Sequence, residues 1–148
     1  MTIRPATQQD VPTLAAMRVQ QLIDEGDTPN DDLYPRLLPY FEQALADGSL
    51  LQLVCEEEGR LIATAAVIYY LFPPSFDDLA GVTGYVANVY THPDYRHRGL
   101  ATALLTRLKE DAKARGVSLL YLRTLDDRKP LYAKNGYRDA PEWMRTET

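Results

Sequence analysis

The stretch N-V-Y-T-H-P-D-Y-R-H-R-G-L-A-T-A-L-L, residues 88–105, decides the architecture because the hydrophobic period changes inside it. Val86, Val89 and Tyr90 fall in an alternating apolar segment that suits a strand, whereas Ala101, Leu104, Leu105, Leu108 and Ala112 recur at helical spacing. The change falls within T-H-P-D-Y-R-H-R-G. Pro93 cannot donate a backbone hydrogen bond and Gly99 permits close approach of the chain, so the connection reads as a shaped loop that ends at a helix N-terminus. Such a terminus offers unpaired N–H groups and a partial positive charge, and Arg96, His97 and Arg98 add cationic charge at the same place. An anion, specifically a phosphate, is the expected occupant.

Outward from this stretch, the strand, crossover helix and strand from Val86 to Leu122, with Gly116 as the helix stop, predict a right-handed parallel βαβ unit. Toward the N-terminus, Leu50–Glu56 and Leu61–Leu71 read as an antiparallel hairpin across E-E-E-G-R, and residues 72–81 as a loop. Thr2–Pro5 reads as a first strand, and Thr7 with Asp10 as a capping-box-like helix start. Val11, Leu14, Ala15, Val19, Leu22 and Ile23 are the expected buried face, and Gly26 with residues 27–32 the end of that helix. Leu33, Leu37, Leu38, Phe41 and Leu45 predict a second helix, interrupted or adjusted at Pro35 and Pro39. Pro130–Asn135 reads as a short helical turn closed by Gly136, with Tyr137 and Trp143–Thr146 as candidate final strands. The fold class is α/β with a mixed, mainly antiparallel sheet and one parallel βαβ unit.

At 148 residues the chain reads as one domain, 1–148, able to bury roughly 70% of its unfolded surface without staples. Sixteen Lys and Arg against 21 Asp and Glu leave a net charge of −5, which argues against broad nucleic-acid or anionic-membrane binding while allowing a local anion site. The longest apolar run, Leu61–Phe72, is too short for a membrane span, and the N-terminus lacks a signal-peptide layout, so a cytoplasmic protein is expected. The single Cys55 reads as a buried structural thiol. His92 and His97 lack companions at ligand spacing, so no metal is expected.

Arg96, Gly99 and Ala101 match an R/Q-x-x-G-x-G/A signature. Together with V-Y-T-H-P before it, the amphipathic helix after it and L-Y-A-K-N-G-Y at 131–137, the chain resembles the GNAT superfamily of N-acetyltransferases over nearly its whole length. The resemblance implies acetyl-CoA as cosubstrate. Its pyrophosphate would meet the backbone of His97, Arg98, Gly99, Leu100, Ala101 and Thr102, with Arg96 as a motif position. Val89, Tyr90 and Thr91 match the strand that holds the pantetheine arm and the thioester carbonyl, splayed from the next strand. Tyr132 matches the family tyrosine and is the expected acid for the leaving thiolate.

The implied reaction is direct attack of a primary amine on the thioester in a ternary complex. The strand position that carries Glu in many relatives is Asn88 here, and an amide cannot accept a proton. Asn88 is therefore expected to orient a water or the acceptor, with Asp77 and Asp78 as candidate anchors for a cationic amine. A non-catalytic acyl-CoA-binding or regulatory module of the same fold is the alternative, and the resemblance admits a homodimer.

Overall fold

The computed structural model describes residues 1–30 and 32–148. Asp31, in the segment expected to end the first helix, lies outside the described residues. Five strands form one sheet in the order β1 to β5: β1 Thr2–Pro5, β2 Leu50–Glu57, β3 Arg60–Leu71, β4 Val82–Thr91 and β5 Leu120–Tyr121. The first three neighbouring pairs are antiparallel and β4–β5 is parallel, the mixed sheet expected from the hairpin and crossover signals.

Alternation along β2 and β3 gives the sheet two buried faces. On one, Leu50, Val54 and Ala66 pack with Val11, Leu14 and Phe41 from α1 (Val11–Asp24) and α2 (Leu33–Asp47). On the other, Leu53, Cys55, Ala65 and Val67 meet Leu100, Leu104 and Leu108 of α3 (Leu100–Ala114) and Tyr132 of α4 (Lys129–Lys134). Cys55 is fully enclosed, and burial raises its thiol pKa.

Several local expectations are corrected. The buried stripe of α1 includes Met17 and Gln21, whereas Ile23 is 36% exposed because the helix end overhangs the sheet. Helix α2 runs unbroken through Pro35, which lies in its first turn where no intrahelical acceptor is needed, and carries Pro39 inside. Only Leu120 and Tyr121 of the expected 117–122 strand pair with β4. Tyr137 and Trp143–Thr146 form no strand; Tyr137 and Trp143 instead stack edge-on against Tyr132 and Tyr121. The aromatic contacts hold these segments without a ladder.

Candidate active site: an open sheet edge beside an uncapped helix

The site begins where β4 leaves β5. The two strands pair at Gly84 with Leu120 and at Tyr85 with Tyr121, and the β4 register toward β5 stops there. A Cβ at Gly84 would collide with the Leu120 side chain, so this approach depends on glycine. From Val86 to Thr91, β4 has no strand partner on that side among the described residues.

The cause of the divergence is legible in the register with β3. Thr64 faces Tyr90 and Ala66 faces Ala87, so β3 advances two residues while β4 advances three, which leaves one extra residue on β4. Asn88 occupies this bulge with φ 55, a left-handed conformation that asparagine tolerates better than most residues. Its buried side chain donates from Nδ2 to Gln52 Oε1 at 3.2 Å. Gln52 Nε2 in turn donates to Thr64 Oγ1, and Thr64 Oγ1 to the Leu53 carbonyl at 2.7 Å. This chain of buried hydrogen bonds satisfies three polar side chains on an apolar face and pins the bulge to β2 and β3. Beyond it, Val89 and Thr91 are half-buried, and Tyr90 is buried with its phenol pKa raised by that burial.

The loop after β4 is braced by its own arginines. Arg96 donates from Nε to the Thr91 carbonyl and from Nη2 to Asp24 Oδ2, both at 3.0 Å. Arg98 donates to the Asp94 carbonyl at 3.1 Å and lies 5.0 Å from the centroid of the Tyr95 ring. His97 at φ 61 and Gly99 at φ 77 turn the backbone, and α3 starts without a side-chain cap. Among the described residues, no protein acceptor takes a backbone N–H from His97 to Thr102. A Cβ at Gly99 would meet no atom within 4 Å, so its requirement is conformational, and the space beside it is open.

Helix α4 carries the third component. Asn135 donates from Nδ2 to the Leu131 carbonyl at 2.8 Å and to Thr102 Oγ1 at 3.2 Å, which ties α4 to the first turn of α3. Tyr132 is 9% exposed, and desolvation pushes its pKa up to about 12, with Arg128 opposing and Glu25 assisting the rise. Its hydroxyl makes no protein hydrogen bond among the described residues yet is not sealed from solvent. The Tyr132 phenol is thus held protonated at neutral pH on the α3-facing side of the sheet.

Four residues that the motifs do not mark contribute to this arrangement. Gln52 and Thr64 hold the bulge, and their signal was a lone polar residue inside each of two apolar strands. Asp24 and Glu25 end α1 and bridge to Arg96 and Arg128, which follow β4 and β5 respectively. Carboxylates at the negative end of a helix are electrostatically misplaced unless cations come from elsewhere in the fold, which was their signal. The Gln20 amide and then Arg96 hold the Asp24 carboxyl below its ordinary range. Asp77 and Asp78, by contrast, lie before β4 at the end opposite Thr91, roughly 20 Å of strand from Val89. One Asp78 oxygen accepts from the Gly81 N–H at 3.1 Å. The fold does not bring this pair to the open strand edge, because the β3–β4 hairpin turns at the far end of the sheet. No cluster of three or more metal-ligating side chains occurs among the described residues.

Comparison with known proteins places this geometry in context. The family model described as "Acetyltransferase (GNAT) family" matches residues 16–137. An "IAA acetyltransferase" of Azospirillum brasilense is 32% identical over 128 residues, covering 82% of this chain and 77% of its own. A "Glucosamine 6-phosphate N-acetyltransferase" of Trypanosoma brucei brucei is 27% identical, over 68% of this chain and 67% of its own. A crystal structure of a predicted acetyltransferase with acetyl-CoA from Clostridium acetobutylicum superposes with a TM-score of 0.93 at 38% identity, covering 99% of this chain and 95% of that one. With a divergent β4–β5 pair, an uncapped α3 and a family match over most of its length, this chain belongs to the GNAT family of acetyltransferases.

Proposed function

We propose that this chain is an N-acetyltransferase that moves the acetyl group of acetyl-CoA to a primary amine of a small molecule, amino acid or peptide by direct attack in a ternary complex. The observation that carries the reading is the run of unpartnered backbone N–H groups from His97 to Thr102, continuous with the unpaired edge of β4. The residues present fit the cosubstrate: the amides and the space beside Gly99 suit a diphosphate, and the edge from Val89 to Thr91 suits an extended amide-bearing arm. Arg96, Leu100, Ala101 and Thr102 shape that cradle. Arg98 adds positive charge at its rim, where His97 also lies.

Acetyl-CoA, when bound, supplies the activated acetyl thioester. The transfer forms a C–N bond and breaks a C–S bond, so the amine must lose a proton and the leaving sulfur must be stabilised or protonated. An N–H near Val89 or Tyr90 would polarise the carbonyl oxygen, as oxyanion donors do. Tyr132 is the donor to sulfur. With its pKa at about 12 against roughly 8.5 for a thiol, complete proton transfer would be uphill by about 5 kcal/mol, so Tyr132 acts chiefly by hydrogen-bond donation until the amine releases its proton. Asn88 cannot be the base; it orients the bulge, and with it the thioester-facing backbone.

We read residues 1–148 as one catalytic domain of a cytoplasmic protein, since the two core clusters flank a single sheet. No helix among the described residues is long and apolar enough to cross a membrane. A homodimer accords with this reading. The test is thiol release from acetyl-CoA over a panel of amines, alongside calorimetric binding of acetyl-CoA. Binding with saturable, amine-dependent thiol release is expected; binding without release from any amine would point to a non-catalytic acyl-CoA module.

A further inference from the structure

The buried chain that joins Leu53, Thr64, Gln52 and Asn88 has a direction as well as a geometry. It lies on the sheet face covered by α1 and α2, where Gln52 is 1% exposed and Thr64 3%, so no water stands between its members. An amide side chain can be turned end for end at little steric cost, and its sense is therefore set by its partners. Here the first partner is a backbone carbonyl, which can only accept. The Thr64 hydroxyl, 2.7 Å from the Leu53 oxygen, gives it its one proton. Toward Gln52, Thr64 Oγ1 can then only accept, so the Gln52 amide presents Nε2 to it and turns Oε1 the other way. Gln52 Oε1 requires a donor, and Asn88 supplies Nδ2. Reversing Gln52 would set oxygen against oxygen at one contact and N–H against N–H at the other, in an apolar layer where unpaired polar groups are costly.

One end of this relay is unused. No donor among the described residues reaches Asn88 Oδ1, and that oxygen is not sealed from solvent. Asn88 itself stands in the part of β4, Val86 to Thr91, that has no strand partner toward β5 among the described residues. Without Gln52 and Thr64 to order it, an asparagine amide at this place would offer N–H groups as readily as an oxygen.

We infer that Gln52 and Thr64 are positioning residues for the proposed transfer: they fix the sense of the Asn88 amide, so that a hydrogen-bond acceptor and not a donor meets the attacking amine. As the amine lone pair forms the C–N bond and the C–S bond breaks, the nitrogen becomes positive and its N–H groups become stronger donors. Asn88 Oδ1 takes such a hydrogen bond without taking the proton, which ends on the leaving sulfur. An outward Nδ2 would oppose the same positive charge. The inference rests on the acetyltransferase reading and adds to it two residues of β2 and β3 that act through Asn88 and touch neither substrate.

The test combines kinetics with side-chain amide exchange measured by NMR on the intact protein. In the wild type, the Asn88 Nδ2 protons should exchange at least about tenfold more slowly than those of exposed Asn30, and Thr64→Val should abolish that protection by releasing the Gln52 amide. Thr64→Val and Gln52→Leu should each lower kcat about tenfold for the best amine of the panel above, with the calorimetric affinity for acetyl-CoA within about threefold of wild type. Gln52→Glu keeps an oxygen toward Asn88 Nδ2 in either protonation state and should recover most of that loss. If Thr64→Val does not fold, Gln52→Leu and the wild-type exchange rates decide. Turnover undisturbed by Gln52→Leu, or freely exchanging Asn88 Nδ2 protons in the wild type, would overturn the relay and leave the transfer reading intact. A joint fall of kcat, acetyl-CoA affinity and melting temperature that Gln52→Glu does not reverse would reduce the chain to a structural brace and reject the positioning role. Acetyl-CoA binding without turnover of any amine would sink the transfer reading, and this role with it.

Discussion

The 3-10 turn Gln8–Asp10 that leads into α1 and the N-terminus of α3 meet the same electrostatic demand in opposite ways. Before α1, Asp10 accepts from the Thr7 N–H at 2.8 Å, and Arg4 donates to both Asp10 oxygens at 2.8 and 3.1 Å. The Arg4 guanidinium first, and the Thr7 N–H after it, hold the Asp10 carboxyl below its ordinary range. The chain's own anion closes that end. At α3, Gly99 supplies no side chain, Arg96 and Arg98 are turned toward Asp24 and backbone carbonyls, and the amides from His97 to Thr102 are left open. A closed end serves stability. An open one forgoes an internal hydrogen bond, and the proposed diphosphate site rests on that difference.

The comparison breaks most directly at Gly99. Replacing it with Glu brings an internal carboxylate to the open end and strains a φ of 77, so acetyl-CoA affinity should fall at least about 10³-fold, or roughly 4 kcal/mol, by calorimetry. Unaltered affinity would remove the proposed diphosphate from this end.

Tyr132→Phe asks whether the open end binds without catalysing. It should lower kcat roughly 10²-fold while acetyl-CoA affinity changes little. Because burial raises the Tyr132 pKa to about 12, the wild-type donor stays protonated through neutral and mildly alkaline pH. Turnover equal to wild type across a pH series would take Tyr132 out of the acid role.

Asp10→Asn probes the closed end and should cost about 1–2 kcal/mol at pH 7 in denaturant unfolding, with acetyl-CoA affinity retained. The folded-state pKa is depressed, so the contribution is present above the unfolded value of about 3.9 and is lost as pH falls through the lower folded value. The variant should therefore show a shallower acid limb. A parallel loss of cosubstrate binding would mean that the two ends are coupled.

The smallest effect is expected for Asp24→Asn. Its pair with Arg96 is partly exposed, so stability should drop by less than about 1 kcal/mol and acetyl-CoA affinity by less than about fivefold. A much larger affinity loss would show that α1, more than the loop's own bonds, holds the open end in shape.

The resemblance and the periodicity together identified the open end because its determinants are local: a strand period, a loop punctuated by Pro93 and Gly99, and a helix period, all within residues 88–105. The same holds for the hairpin, since Glu58 and Gly59 make a two-residue turn with positive φ at both positions. What escaped the sequence was the partner set. Asp24 with Arg96 and Glu25 with Arg128 are 72 and 103 residues apart, and no local period records such pairs. Asp77 and Asp78 are the converse case: no local pattern records that the direction of β4 carries their loop to the end of the strand opposite Thr91.

By itself, then, the sequence determined the mixed α/β class, the uncapped start of α3 and the identity of the residues around it, since each depends on the period, handedness and conformational range of neighbouring residues. Tertiary structure alone decided how far β5 follows β4, how Asn88 is engaged and which charges meet across the cleft. Those outcomes depend on one extra residue in the β4 register, on the buried Gln52–Thr64 chain that fixes it and on the overhang of α1, all of which exist only once distant segments are packed together.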